Sequence, residues 1–223
     1  MLLSALLGTL GSVSLMAQSS TNVYSLNVVG YVNVTVSPGY NIVSDPLIAS
    51  PDNTLNTLLP NANGQYKGWK VYFFSGGTYS QIESGTKSGW ADGGTNTINP
   101  GQAVFIENSF TTNVTLTFVG SVPSGTLTNA LSPGFNLVGS ILPASGDVVT
   151  NSLTQLTNAV KGDRVYVYDP TNGYSAPGGV YTATKSGFTP SNPQIPNVGE
   201  GFFYQNNGTT PLNWVESFSV SNP

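Results

Sequence analysis

The sequence contains no cysteine and no histidine, and charged residues are scarce. Six Lys and Arg and ten Asp and Glu make up 7% of 223 residues, against about 25% in an average soluble domain. Without thiolate and imidazole ligands we expect no transition-metal site and no cofactor. Ser-His-Asp and Cys-His catalysis are excluded outright. The few basic residues and the net charge of −4 offer no cluster that neutralises phosphates, so we predict no nucleic-acid partner.

Small polar residues replace the missing charges. Glycine, serine, threonine and asparagine together make 99 of the 223 residues. The chain nevertheless has 39% hydrophobic and 11% aromatic residues, enough for an apolar core and too many for a disordered polymer. Because disulfides are impossible, that core and the backbone hydrogen bonds must hold the fold together.

The first 17 residues, MLLSALLGTLGSVSLMA, are apolar, uncharged and rich in leucine. This pattern is typical of a signal peptide, so we predict a leader over 1–17 and a secreted protein, either extracellular or at the cell surface. The segment lacks the usual basic start, and a buried N-terminal helix is the alternative. It falls short of the ~20 apolar residues that a spanning helix needs, and we expect no membrane span in the mature chain.

Four blocks of sequence occur twice, in the same order and about 94 to 98 residues apart. This self-similarity predicts two homologous halves. We place them at 32–122 and 123–223. The paired blocks are 37–43 with 132–138, 68–72 with 162–166, 86–90 with 184–188, and 99–106 with 197–204.

The repeated blocks predict strands and turns. Ser-Pro-Gly at 37–39 and 132–134 places proline and glycine as a type II turn requires, with a positive φ at the glycine. Valine, isoleucine, phenylalanine and tyrosine follow each turn, as is typical of strands. Helical patterns are limited to 54–59 and 150–160. We therefore predict an all-β protein of two β-sandwich-like halves.

An additional strand precedes the first repeat. Alternating apolar residues run through 23–36, but only the part from Val32 onward has a counterpart, which begins near Leu127. We assign 18–31 to an extra N-terminal strand in which Tyr24, Leu26 and Val28 share the apolar face. Gly30 interrupts it, where a bulge or bend is expected. The strand either pairs within its own chain or is donated to a neighbouring copy.

The combination VVGYVN, PGYNIV, NPGQAVFI, PGFNLV and VGEGFFY resembles a large group of secreted proteins from Verrucomicrobia and related bacteria. Those proteins typically carry a signal peptide, a VVGYVN strand and two PGFNLV…PGEGFF halves. The resemblance covers nearly all of the mature chain. It implies a duplicated, secreted β-protein and brings no established activity and no catalytic residues.

The ten acidic residues give no catalytic constellation. A glycosidase needs two opposed carboxylates in a cleft, and only Asp52 and Asp147 occupy matching places in the two halves. Each precedes a predicted short helix, where a capping carboxylate is the simpler interpretation. We therefore predict that the protein is not an enzyme.

Two functions remain. The first is a secreted structural protein, a self-assembling cell-surface or extracellular filament subunit whose partners are other copies of itself. Its low charge offers little repulsion, and the segment with Tyr24, Leu26, Val28 and Gly30 is the candidate donor for β-strand addition. The alternative is a carbohydrate-binding or adhesion module for polysaccharide that uses exposed aromatic side chains, with Trp90 and Trp69 as the candidate stacking residues.

Overall fold

The computed structural model describes residues 28–150, 154–156, 158–174, 179–195 and 197–219. The predicted signal peptide at 1–17 and the donor candidates Tyr24 and Leu26 lie outside these ranges. About half of the described residues lie in antiparallel β-strands and very few in helix, so the all-β prediction is confirmed. No helix in the described ranges has the length and hydropathy needed to cross a membrane.

The first half contains seven strands and a one-turn helix in the described chain. They are β1 (Val29–Val36), β2 (Gly39–Ser44), α1 (Leu55–Leu58), β3 (Lys70–Ser75), β4 (Thr78–Thr86), β5 (Gly89–Trp90), β6 (Ala103–Asn108) and β7 (Val114–Ser121). Those of the second half are β8 (Gly125–Leu131), β9 (Gly134–Gly139), β10 (Gly146–Asp147), β11 (Thr154–Gln155), β12 (Arg164–Tyr166), β13 (Val180–Thr184), β14 (Gly187–Thr189), β15 (Gln194–Ile195), β16 (Gly201–Asn206) and β17 (Leu212–Phe218).

The same strand order occurs in both halves. One five-stranded sheet has the order β2-β6-β3-β4-β5, and the other has the order β9-β16-β12-β13-β14. The two Ser-Pro-Gly turns also match, since Gly39 has a φ of 84° and Gly134 a φ of 91°, as the type II turn predicts. After each turn an asparagine holds the loop closed: Asn41 Oδ1 accepts from Ser37 N, and Asn136 Oδ1 accepts from Ser132 N, both at 2.9 Å.

A narrow ribbon covers one face of each five-stranded sheet. In the first half β1 pairs with β7, and in the second half β8 pairs with β17, which also pairs with β11. Alternate residues of β1 point inward, so Val32, Val34 and Val36 are buried against Trp69 and the rest of the first core. The second core lies between β8, β17 and the second sheet in the same way.

Residues 29–31 of the predicted extra strand form the start of β1. Gly30 lies opposite Gly120 with no shift in register, so the prediction of a bulge at Gly30 is wrong. Its partner Gly120 serves a close approach of backbone. A Cβ atom on Gly120 would lie 2.4 Å from Ile48 O, and Ile48 forms two backbone hydrogen bonds of 2.9 Å with Ser121 beside it.

Contrary to the sequence prediction, Asp52 is not the N-cap of the first helix. Thr54 is the N-cap of α1, and Asp52 lies two residues earlier. Its carboxylate accepts from Thr54 N at 3.0 Å and from Thr57 Oγ1 at 2.7 Å. In the second half Asp147 binds the backbone of Val149 in the same manner, at 2.8 Å. These carboxylates organise loops.

The uncovered faces of the two sheets meet each other around a pseudo-two-fold axis. Two isolated bridges join the halves, Val43 with Glu200 and Val138 with Gln102. In the sequence repeat Val43 corresponds to Val138 and Gln102 to Glu200, so the second bridge is the first one with the halves exchanged. This reciprocity is the signature of an isologous interface, here within one chain.

Close packing at the axis requires that the two halves differ. Ala103 of one half faces Gly201 of the other, and a Cβ atom on Gly201 would lie 2.4 Å from that of Ala103. Likewise a Cβ atom on Gly139 would lie 2.2 Å from that of Ser44. Near a two-fold axis equivalent side chains point at one another, so only one member of each pair can carry a Cβ atom.

Candidate functional site

The tryptophans that the sequence offered for stacking lie in the first core. Trp69 is 0% exposed and Trp90 is 5% exposed. Trp90 Nε1 donates to Leu59 O at 2.9 Å, and Tyr66 stacks on the Trp90 ring with the two planes 16° apart. Buried rings offer no face to a polysaccharide, so the assignment of Trp69 and Trp90 as glycan-stacking residues is wrong. Trp90 has an aromatic counterpart, Phe188, which packs against the second core, whereas the counterpart of Trp69 is Asp163.

The described part of the donor candidate pairs within its own chain. Val28 O accepts from Val122 N at 2.7 Å, and Gly30 faces Gly120 in the β1–β7 ladder. Tyr31 continues the same ladder opposite Val119. Val28 and Gly30 thus extend the ribbon of the first half, and a segment available to a second copy would have to lie before Val28.

A different set of aromatic residues lines the junction of the two halves. Ile42, Ala103, Phe105, Leu137 and Phe203 form a small buried cluster there. Partly exposed rings from both sheets surround this cluster and form an open groove, which we call the aromatic groove. Two rings of the groove, Phe105 and Phe203, belong to the buried cluster, and the others are Tyr40, Tyr72, Phe74, Tyr79, Phe135, Tyr166, Tyr168 and Tyr174.

The aromatic groove contains two pockets. The first has a volume of about 410 Å³, and the second about 370 Å³. Tyr79, which is 47% exposed, lines both pockets. The first pocket is formed by Tyr40, Tyr72, Tyr79, Ile82, Phe105 and Tyr168. The second is formed by Phe74, Gly77, Tyr79, Phe135, Tyr166, Tyr174 and Phe203.

The two pockets are equivalent under the pseudo-two-fold axis. Tyr40 packs on Tyr72 with ring centroids 6.0 Å apart, and Phe135 packs on Tyr166 at 5.8 Å. Tyr40 meets Phe105 edge to face at 6.2 Å, matched by Phe135 with Phe203 at 6.1 Å. Each of these residues aligns with its counterpart in the sequence repeat, and the ring contacts have nearly the same centroid separations in the two pockets.

Each pocket includes a ring that crosses from the opposite half. Tyr168 of the second half packs edge to face on Phe105, with centroids 5.2 Å apart. The equivalent ring of the first half, Phe74, packs on Phe203 at 5.0 Å. Both pockets therefore depend on the docking of the two halves, and neither half provides a complete pocket by itself.

Polar groups border the rings and differ between the pockets. In the first pocket Tyr72 Oη donates to Glu107 Oε2 at 2.7 Å, and Lys70 Nζ lies 3.4 Å from the same oxygen. In the second pocket Tyr166 Oη donates to Gln205 Oε1 at 2.9 Å. The first pocket thus has an ion pair at its edge where the second has a neutral amide.

Burial raises the pKa of several tyrosine hydroxyls above the ordinary value of 10. It does so for Tyr72, where the hydrogen bond to Glu107 raises the pKa further, and for Tyr79, Tyr168 and Tyr174. These hydroxyls therefore stay protonated at neutral pH. The hydroxyls of Tyr79, Tyr168 and Tyr174 can donate to a ligand, whereas the hydroxyl of Tyr72 already donates to Glu107. The partly exposed faces of these rings remain available for stacking.

Another cavity, of about 320 Å³, lies between the halves and contains the carboxylates of Asp169 and Glu200. Asp169 Oδ1 accepts from Asn172 N at 2.7 Å within a turn, and Glu200 Oε1 accepts from Asn197 Nδ2 at 2.7 Å. Gln102 holds the matching turn of the first half through a similar bond. Both acids therefore have local structural roles. Within the described residues no three acidic side chains gather as a metal site would require.

The groove residues were visible in the sequence only as repeated aromatics. Tyr40 and Phe135 follow the Pro-Gly turns, and Phe105 and Phe203 lie in the last repeated block. Period-two alternation places these rings on the opposite face from the core valines, which was the available signal. Comparisons of the chain with protein-family models, with curated proteins and with solved structures gave no match.

Proposed function

We propose that this protein is a secreted carbohydrate-binding module whose aromatic groove holds polysaccharide. The observation that carries the proposal is the groove itself, an open concave surface lined by aromatic rings of which most are partly exposed. Tyr40 is 45% exposed and Phe135 is 43% exposed, although both lie beside buried apolar residues. Concave aromatic surfaces of this kind with a few convergent polar groups are typical ligand sites.

The chemistry of the groove favours an uncharged, hydroxyl-rich ligand. A sugar ring presents C–H groups on its faces and hydroxyls around its rim, which matches tyrosine faces bordered by tyrosine hydroxyls. The charged groups that border the first pocket, Lys70 and Glu107, are already paired with each other. The first pocket therefore offers no unpaired charge to an ionic ligand. At the second pocket Arg164 takes the place of Lys70 and lies in register with the neutral Gln205, whereas a neutral sugar needs no balancing charge at either pocket.

Retention on insoluble polysaccharides tests the proposal. We expect the mature protein to bind at least one of cellulose, chitin, β-1,3-glucan and mannan. The Tyr40→Ala variant should lose about ten-fold in affinity, which corresponds to ~1.4 kcal/mol of stacking and hydrogen bonding. Tyr31→Ala is the matched control, because Tyr31 is 73% exposed on β1 and lies outside the groove. Failure of the wild type to bind any of the four polymers would refute the proposal.

A second candidate function is the filament subunit that assembles by β-strand addition. Its support is an apolar patch at the end of the first ribbon, where Val29, Tyr31, Val119 and Ile48 are exposed. When the alignment of Val32 with Leu127 is continued backwards, the positions that match Val29 and Tyr31 carry Ser124 and Thr126. The positions that match Val119 and Ile48 carry Ser217 and Pro143. The exposed apolar patch is therefore specific to the first half and is not a feature that the two repeats share.

The two candidates predict different behaviour in solution. Negative-stain microscopy of the mature protein should show fibres if the strand is donated, and deletion of 18–27 should abolish them while both halves stay folded. Uniformly monomeric particles at high concentration would exclude the filament. The secreted location rests on the predicted signal peptide, and N-terminal sequencing of exported protein would test it.

A further inference from the structure

We infer that the aromatic groove binds two polysaccharide chains at once, one in each pocket and in opposite directions, so that one protein molecule crosslinks two chains. This inference rests on the proposed carbohydrate-binding function and extends it. It follows from the symmetry of the groove and from the composition of each pocket.

The symmetry argument begins at the interface between the halves. Ser44 N donates to Gly199 O at 2.8 Å, and the equivalent Gly139 N donates to Gly101 O at 3.2 Å. These reciprocal bonds, like the two reciprocal bridges, relate the halves by a two-fold rotation. The line that joins two equivalent pockets is perpendicular to such an axis. A rotation of 180° therefore reverses any direction along that line.

Polysaccharide chains have a direction, because their two ends differ chemically. A single chain that ran through both pockets would meet the second pocket backwards relative to the first. Two antiparallel chains, in contrast, would each present the same face and the same direction to its own pocket. The arrangement of the rings therefore favours two ligands for each protein molecule over one long ligand.

The pockets differ in hydroxyl content, which predicts unequal affinities. Tyr40 and Tyr168 of the first pocket are replaced at the equivalent places of the second pocket by Phe135 and Phe74, but Tyr174 lines only the second pocket. The first pocket therefore has four tyrosine hydroxyls and the second has three. A hydroxyl-rich ligand gains about one net hydrogen bond's worth of affinity from each tyrosine hydroxyl it contacts. We expect the first pocket to bind such a ligand roughly ten-fold more tightly.

Calorimetric titration with soluble tetrasaccharides tests the inference. The probes are cellotetraose, chitotetraose, laminaritetraose and mannotetraose, each added to the whole mature protein. We expect two binding events for each protein molecule with at least one of these probes. Tyr40→Ala should remove the tighter event and Phe135→Ala the weaker one, and each variant should retain the other.

Turbidity of the corresponding long polysaccharide provides a second measurement. The wild type should crosslink and cloud the polymer, whereas each single variant should still bind it without clouding. A conservative substitution guards against misfolding: Phe135→Tyr adds the missing hydroxyl, and it should narrow the affinity gap between the two events.

The outcomes separate the inference from the function on which it rests. One binding event for each protein molecule, weakened equally by Tyr40→Ala and Phe135→Ala, would describe a single continuous site. That result would overturn the two-chain inference and leave the carbohydrate-binding proposal intact. The absence of binding to all four tetrasaccharides and all four polymers would overturn both.

Discussion

A buried carboxyl group in the first half predicts that the protein becomes less stable as the pH rises from 4 to 7. Asp45 follows β2 and is 0% exposed. It accepts from Leu47 N at 3.0 Å and from Asn53 Nδ2 at 3.1 Å. These bonds favour the charged form, but burial outweighs them and raises the pKa of Asp45 from 3.8 to about 7.

The sign and size of the effect follow from the two pKa values. The folded state holds the proton of Asp45 more tightly than the unfolded state does. The stabilisation is therefore complete below pH 3.8, decreases as the pH rises towards 7, and is lost above that pH. A difference of about three pH units corresponds to at most about 4 kcal/mol. Glu216 contributes with the same sign, because burial also raises its pKa.

Carboxyl groups of the opposite kind act at the acid end of the range. Hydrogen bonds from Thr57 and Thr54 lower the pKa of Asp52, so its contribution is present at neutral pH and is lost as the pH falls below 3.8. Asp52 is exposed and its effect is small. The decline in stability between pH 4 and pH 7 therefore reports mainly on the buried acids.

Urea unfolding at pH 4, 5, 6, 7 and 8 measures this dependence. When the m value is unchanged, the urea concentration at the midpoint reports the free energy of unfolding. The free energy of unfolding of the wild type should fall by several kcal/mol from pH 4 to pH 7. Asp45→Asn and Asp45→Ser should remove most of that fall, whatever their absolute stability. Serine is a matched choice, because Ser140 occupies the equivalent place in the second half. An undiminished fall in both variants would refute the assignment to Asp45.

Two further predictions concern the axis and the second core. Gly201→Ala should cost about 1–3 kcal/mol in thermal unfolding through the crowding of two Cβ atoms, and the added substitution Ala103→Gly should recover part of it; an unchanged loss would rule out that contact as the cause. Tyr204→Phe should cost about 1–3 kcal/mol, because it removes the 2.5 Å hydrogen bond to buried Asp163. Chemical denaturation would measure this loss, and a neutral result would show that the hydroxyl is dispensable.

Much of the fold was predictable, because its determinants are local. The Pro-Gly turns, the alternation of residues and the repeated blocks depend on neighbours within a few positions. The order of the strands was not predictable, since β2 pairs with β6 across some 60 intervening residues. The close approach at Gly120, opposite Gly30, was not predictable for the same reason: the backbone that approaches it belongs to the distant Ile48.

The site was less accessible to sequence reasoning than the fold. An aromatic residue at a repeated position is consistent with either a buried core position or an exposed surface position. The tryptophans were predicted to be exposed, and they are buried. The groove is assembled from rings of both halves, such as Phe105 and Tyr168, which lie 63 positions apart. Which ring stays exposed depends on how the halves dock, and no local pattern encodes that docking.

The two cores have diverged in the placement of their largest ring, whereas the ring contacts of the groove recur in both halves. The first core contains Trp69 beside Ile106, and the equivalent residues of the second half are Asp163 and Tyr204, which bond to each other. The second core is filled instead by Trp214, where the first half has Leu116. Each half therefore solves the packing of its core with a large ring at a different place.

The groove behaves in the opposite way. Five ring contacts of one half have an equivalent contact in the other half. Within each such pair of contacts, the two centroid separations agree to within 0.2 Å. Partly exposed rings contribute less to folding than buried ones do, so stability alone would constrain them less than the cores. A requirement on the surface of the groove would account for this difference, and the proposed ligand that uses both pockets would supply such a requirement.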